Sequence, residues 1–95
     1  MADHATHWRW IAGDGLIYDG PCIVTNILFW PGGADEEVLV YDGRDATSGR
    51  LFCKVLVKNE ESRSVALGNG VLFGSGIYVD AQNSDDETTI TFIPL

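Results

Sequence analysis

The feature that most constrains the fold of this chain is the period of its apolar residues. Short segments alternate apolar and polar residues with a period of two, and glycine, proline, asparagine or aspartate separates them. No window keeps the i, i+3, i+4, i+7 apolar spacing of an amphipathic helix for three turns. The pattern therefore predicts an all-β chain.

The alternation marks short strands at roughly ten-residue spacing. The segments are residues 7–12, 16–18, 22–30, 37–41, 50–58, 64–67, 71–73, 77–81 and 88–93. We expect about eight short strands in an antiparallel β-sandwich or jelly roll. Both faces of segment 22–30 are mostly apolar, so we expect this strand at the centre of a sheet or beneath a neighbouring subunit. The next strand, 37–41, is antiparallel to it if loop 31–35 closes a hairpin.

The 95 residues allow one domain at most. We expect a flexible N-terminal arm at residues 1–7 and a single β-sandwich domain at residues 8–95. A chain of this length buries only somewhat more than about 60% of its unfolded surface, so its core alone is marginal. We therefore expect oligomerisation to supplement the core.

The charge of the chain excludes some classes of partner. Six basic and fourteen acidic residues give a net charge of −8. This charge repels nucleic acid and anionic membrane surfaces, so we expect neither as a partner. The charge is also uneven, because the acids cluster at residues 35–37 and 85–87. Five of the six bases fall within one stretch of about twenty residues: Arg44, Arg50, Lys54, Lys58 and Arg63.

The cysteines are expected to be thiols. The first ten residues, MADHATHWRW, lack the apolar stretch of a secretion signal, and no run has the length of a spanning helix. We therefore expect synthesis in a cytoplasm, where Cys22 and Cys53 stay reduced and serve as small apolar residues. A disulfide between them is the alternative.

The loop within VLVYDGRDATSGRLF (38–52) is the first candidate for chemistry. Asp42, Asp45, Thr47 and Ser48 could supply oxygen ligands to a cation. Their spacing lacks the alternating carboxylates and terminal glutamate of a calcium loop. We therefore interpret the loop as a turn whose Asp side chain accepts backbone N–H groups two residues on, with a bound cation as the alternative.

Two further groups of possible metal ligands have simpler explanations. We expect the acidic stretch to be a solvated loop, although it could hold a cation; its residues are Asp80, Asp85, Asp86 and Glu87. His4 and His7 belong to the expected arm, and the chain has no other histidine to complete a zinc site. The sequence predicts no metal and no cofactor.

Catalytic patterns are missing as well. Nucleophilic catalysis needs a base beside Ser, Thr or Cys, but both histidines lie near the start of the chain. The Gly-Ser-Gly run at 74–76 precedes a strand, whereas the GxSxG elbow precedes a helix. We therefore expect no catalytic residues and no enzymatic activity.

The large aromatic residues are the most informative side chains. Trp8, Trp10, Phe29 and Trp30 are many large rings for so small a core. Such residues anchor protein interfaces, and these four are our candidate interface residues. They could instead fill the core, or stack on sugar rings in a carbohydrate-binding module.

The order of several segments resembles a group of small uncharacterised proteins of tailed phages and prophages. The segments are WRWIAGDGLIYDGPCIVTNILFWPGG, VLVYDGRDATSGRLF, LGNGVLFGSGIYVDAQ and TTITFIPL, which together cover nearly the whole chain. Tyr41, Gly43, Gly76 and Tyr78 match the group's pattern as structural positions. These are strand and turn motifs, so no catalytic residue is carried over from the group.

The resemblance implies a structural protein of the virion. A head decoration or cement protein is our principal hypothesis, acting as a homo-oligomer, with a trimer as the expected form, bound to a major capsid protein. Avidity would hold many such copies on a capsid even if each contact were weak. The alternatives are a neck or tail accessory protein and a carbohydrate-binding module.

Overall fold

The computed structural model describes residues 5–33, 35–59, 61–81 and 85–95, with the backbone alone for Glu36. In these ranges the chain forms strands and no helix. The strands are β1 (His7–Ala12), β2 (Gly15–Asp19), β3 (Cys22–Trp30), β4 (Glu36–Asp42), β5 (Arg50–Val57), β6 (Arg63–Phe73), β7 (Gly76–Ala81) and β8 (Glu87–Pro94). The all-β prediction is confirmed.

The strand pairing is nested. β1 pairs with β8, β2 with β7, β3 with β6 and β4 with β5, each antiparallel. Two further pairings, β3 with β8 and β4 with β7, complete two four-stranded sheets. Sheet A has the order β1-β8-β3-β6, and sheet B has the order β2-β7-β4-β5. This strand order is the jelly-roll form of a β-sandwich.

The core lies between the two sheets and consists of aliphatic and aromatic side chains from both. Its largest fully buried members are Phe29, Phe73, Phe92, Ile17, Ile27, Ile77 and Ile90. At one edge of the sandwich the rings of Phe52 on β5 and Phe73 on β6 lie 5.0 Å apart. Tyr18 on β2 and Phe92 on β8 make a similar contact at 5.0 Å.

A β-bulge in β3 explains why both faces of this strand are apolar. Cys22 and Val24 point into the core, and the register then shifts between Val24 and Asn26. After the shift Ile27 and Phe29 point into the core. An extra residue reverses the side-chain alternation, so the inward face contains even-numbered and then odd-numbered positions. β3 lies inside sheet A, so the prediction of a central strand is confirmed.

Three details differ from the sequence-based expectations. Segments 64–67 and 71–73 belong to one strand, β6, because a bulge with positive φ angles at Gly68 and Gly70 joins them. β3 and β4 form no hairpin, because β3 belongs to sheet A and β4 belongs to sheet B. His7, which the prediction placed in the N-terminal arm, lies in β1 and pairs with Phe92; residues 1–4 lie outside the described ranges.

The connecting loops gather at the two ends of the sandwich, and hydrogen bonds link loops at the same end. At the first end Gly13 N–H donates to the Asp86 carbonyl at 2.8 Å, and Asn59 N–H donates to the Asp35 carboxylate at 2.9 Å. We call this the acidic end. Its described acidic residues are Asp14, Asp35, Glu37, Glu61, Asp85, Asp86 and Glu87. At the opposite end Gly20 N–H donates to the Ser75 carbonyl at 3.0 Å.

Candidate functional site

The three tryptophans all lie on the outer face of sheet A. Trp8 and Trp10 on β1 are opposite Thr91 and Thr89 of β8, which point away from the core, and Trp30 is opposite Glu87. Residues directly opposite in an antiparallel pair share a face of the sheet. The three side chains are 69%, 54% and 52% exposed, in the order Trp8, Trp10 and Trp30.

Phe29, the fourth predicted interface residue, is not on this face. It points into the core between the sheets and is 0% exposed. The chain therefore buries this ring by itself, and the expectation that Phe29 belongs to an exposed interface is wrong. The sequence did not reveal which face of this strand is buried, because both faces of segment 22–30 are mostly apolar; the bulge puts Ile27 and Phe29 on the core side.

We call the outer face of sheet A the tryptophan face. The register assigns to it fifteen strand residues: Trp8, Trp10, Ala12, Ile23, Thr25, Asn26, Leu28, Trp30, Ser64, Ala66, Leu72, Glu87, Thr89, Thr91 and Ile93. Sequence reasoning missed Leu72, which is 64% exposed on β6. Its neighbours Val71 and Phe73 point inward, so local alternation could have placed it outside.

Few charges lie on the tryptophan face. Among its fifteen residues only Glu87 is ionisable at neutral pH. Its carboxylate accepts the indole N–H of Trp10 at 2.8 Å. In the middle of the face the hydroxyls of Thr25 and Thr91 are hydrogen-bonded to each other at 2.7 Å. These two polar groups therefore have a partner within the chain.

The outer face of sheet B has a different character. Leu39 on β4 lies between Lys54 on β5 and Asp80 on β7, and Leu56 lies opposite Glu37. Charged side chains therefore lie among apolar ones in this part of the face, as on an ordinary solvated sheet face. The remaining part of the face carries Leu16, Tyr41, Tyr78 and Leu51. The difference between the two outer faces singles out the tryptophan face as the candidate interaction surface.

Loop 42–49 is a hydrogen-bonded turn. The Asp45 carboxylate accepts Thr47 N–H at 3.0 Å, Ser48 N–H at 2.7 Å and the Ser48 hydroxyl at 2.9 Å. The two bonds from Ser48 hold the pKa of Asp45 below its ordinary value. The Asp42 carboxylate accepts the N–H groups of Gly74 and Ser75 at 3.1 and 2.9 Å. The turn interpretation is confirmed for Asp45, which accepts the N–H group two residues on, whereas Asp42 binds the Gly74–Ser75 turn, which lies far along the chain.

Asp86 is buried, although the sequence predicted a solvated loop at this position. It is 1% exposed, and its carboxylate accepts the Gly32 N–H at 2.8 Å. Asp86 therefore links the chain before β8 to the loop between β3 and β4 in the folded protein. Among the described residues no group of three or more Asp, Glu, His or Cys side chains is arranged to hold a metal ion.

Two shallow pockets lie beside loop 42–49. One has a volume of about 150 Å³ between the sheet edges and is lined by Leu51, Phe52, Leu72, Phe73, Asp42 and Arg50. The other, of about 410 Å³, is lined by the loop and by the Gly74–Ser75 turn. Arg44 at its rim pairs with Asp19 at 2.7 Å, and both side chains are well exposed. No described side chain in either pocket forms a nucleophile–base pair.

Both cysteines are free thiols, as expected. Cys22 is fully buried in the core. Burial, with a smaller effect of the nearby Asp42 charge, raises the pKa of Cys22 to about 11. Burial also raises the pKa of Cys53. Both groups are therefore protonated at neutral pH, which makes them poor nucleophiles.

Comparison with known proteins identifies no relative of this chain. No family model, no curated protein and no solved structure matches it. In the described residues no helix is long and apolar enough to cross a membrane.

Proposed function

We propose that this chain is a non-enzymatic structural protein of a tailed-phage virion, a head decoration protein that binds other protein subunits through the tryptophan face. The observation that carries the proposal is the exposure of all three tryptophans on a sheet face with a single carboxylate. Exposed aromatic clusters without charge are typical of the centre of protein interfaces.

Buried tryptophans and avidity together could hold a small chain on a capsid. Burying a tryptophan at an interface removes a large apolar area from water, and such residues are frequent hot spots. A repeated lattice adds avidity, so each contact can be weak while the shell stays intact. The proposed partners are further copies of the chain, in a homo-oligomer, and a major capsid protein.

The rest of the molecule supports a structural role. Asp42, Asp45 and Asp86 are engaged in hydrogen bonds that hold loops and turns together. The jelly roll is used by viral capsid proteins and also by lectins and other classes, so it is compatible with the proposal without selecting it. The virion assignment depends on the resemblance of the strand and turn motifs.

A reconstitution experiment tests the proposal. Purified chain is added to phage heads that lack it, and the heads are sedimented and analysed for bound protein. We expect the wild-type chain to sediment with the heads at a fixed copy number, and Trp8→Ser to bind more weakly. A chain that stays in the supernatant at every concentration contradicts the proposal. Leu56→Ser, on the outer face of sheet B, is the control and is expected to bind like the wild type.

A carbohydrate-binding module is the second candidate. The same exposed indoles, with threonine hydroxyls beside them, could stack on sugar rings and bind their hydroxyl groups. Binding to a glycan array that is lost in Trp8→Ser and Trp10→Ser, with no binding to phage heads, would favour this candidate over the decoration role.

A further inference from the structure

We propose that a second copy of this chain occupies the tryptophan face. The two copies pack sheet A against sheet A, and a two-fold axis perpendicular to the strands relates them. Facing strands of the two copies are therefore antiparallel. The inference deepens the proposed function, because it names the partner that covers this face. It depends on the charge, the area and the distribution of apolar side chains on the face.

The charge of the chain favours self-association through the tryptophan face. Two chains that each carry a net charge of −8 repel one another across most of their surfaces. The tryptophan face carries one ionisable group in fifteen residues, and that group, Glu87, is hydrogen-bonded to Trp10. Two copies can therefore approach through this face with little desolvation of charge. The outer face of sheet B would bring Glu37, Lys54 and Asp80 into such a contact.

The charge distribution also selects the orientation. The acidic end gathers the seven described carboxylates named above against two described bases, Lys58 and Arg63, so it is negative overall. A two-fold axis across the strands places the acidic ends of the two copies at opposite ends of the pair. The molecule is 45 Å long, and the screening length at physiological salt is about 8 Å. The parallel arrangement would put the two acidic ends side by side.

The apolar side chains are distributed to match this orientation. Trp30 lies near the acidic end of the face. At the other end Ile23 on β3 lies between Ile93 on β8 and Leu72 on β6, and these three form an apolar cluster. In the antiparallel pair, β3 of one copy lies over β3 of the other copy and runs in the opposite direction. Trp30 of each copy then packs against the apolar cluster of the other.

The area of the face is sufficient for a specific contact. Four strands at about 4.8 Å spacing and nine residues at about 3.3 Å rise give a flat area of roughly 600 Å² per copy. The pair would bury at least roughly 1,200 Å², which is at the lower end of specific interfaces. A patch that binds itself is isologous and closes as a dimer. A trimer, expected from the sequence, would need two different patches.

Sedimentation velocity on matched variants tests the pair. The wild-type chain is expected to sediment as a dimer that dissociates on dilution. Leu72→Lys, on edge strand β6, is expected to raise the dissociation constant at least about tenfold. Leu56→Lys is the control, because Leu56 is 50% exposed on edge strand β5 of the other sheet, and it is expected to leave the constant unchanged. Circular dichroism verifies that both variants fold.

A charge-swap variant tests the orientation. Trp30→Lys and Leu72→Glu are each expected to give monomers, and the double variant is expected to restore the dimer because each lysine then faces a glutamate. A double variant that stays monomeric overturns the antiparallel arrangement. A wild-type chain that is monomeric or trimeric overturns the pair itself. If that monomer binds phage heads or a glycan, the face has another occupant, and binding to heads leaves the decoration role standing.

Discussion

The indole N–H of Trp10 on β1 donates a 2.8 Å hydrogen bond to the carboxylate of Glu87 on β8. This bond joins the edge strand of sheet A to its neighbour and fixes one of the three exposed indoles. It also engages the single carboxylate of the tryptophan face. A side chain that is already ordered loses less conformational entropy on binding, so the bond prepares Trp10 for contact with a partner.

The coupling between Trp10 and Glu87 is measurable by a double-mutant cycle. We expect Trp10→Phe and Glu87→Ala each to lower the free energy of unfolding, with a coupling of about 0.5–1 kcal/mol between them, because one bond is lost in either variant. Urea denaturation at a concentration where the chain is monomeric provides the measurement. Trp8→Phe is the control, and it should not couple to Glu87→Ala. Additive effects for Trp10 would contradict the role of the bond.

The hydroxyl of Thr88 predicts a stabilising substitution. Thr88 is 0% exposed, and its hydroxyl has no hydrogen-bond partner in the described part of the chain. Valine has nearly the same shape without the polar atom, so Thr88→Val is expected to raise the free energy of unfolding by about 1 kcal/mol. Thr25→Val should lower it by about 1 kcal/mol, because it removes the hydroxyl bonded to Thr91. Thermal melts compare the two, and a destabilised Thr88→Val would contradict the prediction.

Gly32 allows the close approach of the loop to Asp86. A Cβ atom at this position would lie 2.6 Å from the Cβ of Asp85 and 2.9 Å from the backbone N of Asp86. Gly32→Ala should therefore strain the Gly32–Asp86 bond and cost about 1–3 kcal/mol of stability. Gly74→Ala is the control, since no atom lies within 4 Å of its added Cβ, and it should change stability by less than about 0.5 kcal/mol. Chemical denaturation checks both, and equal losses would contradict the argument.

The raised pKa of Cys22 predicts resistance to alkylation. The folded chain keeps this proton at pH values where the unfolded chain has lost it, because the pKa rises from 9.0 to about 11 on folding. The contribution of this group to stability is therefore complete below pH 9 and declines as the pH rises toward 11. At pH 8 we expect iodoacetamide to modify the partly exposed Cys53 first and Cys22 only after unfolding in urea. Mass spectrometry of tryptic peptides measures both rates. Equal rates in the folded chain would contradict the prediction.

The period-two pattern was sufficient to predict the strands, because alternation follows directly from the geometry of a pleated strand. It was insufficient where an extra residue interrupts the pairing. The bulge after Val24 moves Phe29 inward, and the bulge at Gly68 to Gly70 joins two segments into β6. The glycines at 68 and 70 are a local signal of the second bulge, whereas the bulge after Val24 contains no glycine and depends on contacts between strands far apart in the chain.

The candidate site was predicted in part for the same reason. Strand alternation places Trp8 and Trp10 on one face, which the sequence analysis could derive. Alternation with Val71 and Phe73 could also have placed Leu72 on an outer face. That Trp30 and Leu72 share the face of Trp8 and Trp10 follows only from the pairing of β3 with β8 and β6. The carboxylate of Asp86 likewise accepts its hydrogen bond from Gly32, 54 positions away in the chain. Long-range contacts of this kind cannot be derived from one sequence.

We propose that other protein covers the tryptophan face, and the three tryptophans of the chain report on that face alone. The most direct measurement is ¹⁹F NMR of the chain labelled with 5-fluorotryptophan. Spectra are recorded in H₂O and in D₂O for three samples: the dilute chain, the concentrated chain and the chain bound to phage heads. We expect the resonances of Trp8, Trp10 and Trp30 to show solvent isotope shifts in the dilute sample and to lose these shifts on assembly. Resonances that stay fully exposed to solvent in every sample would contradict it.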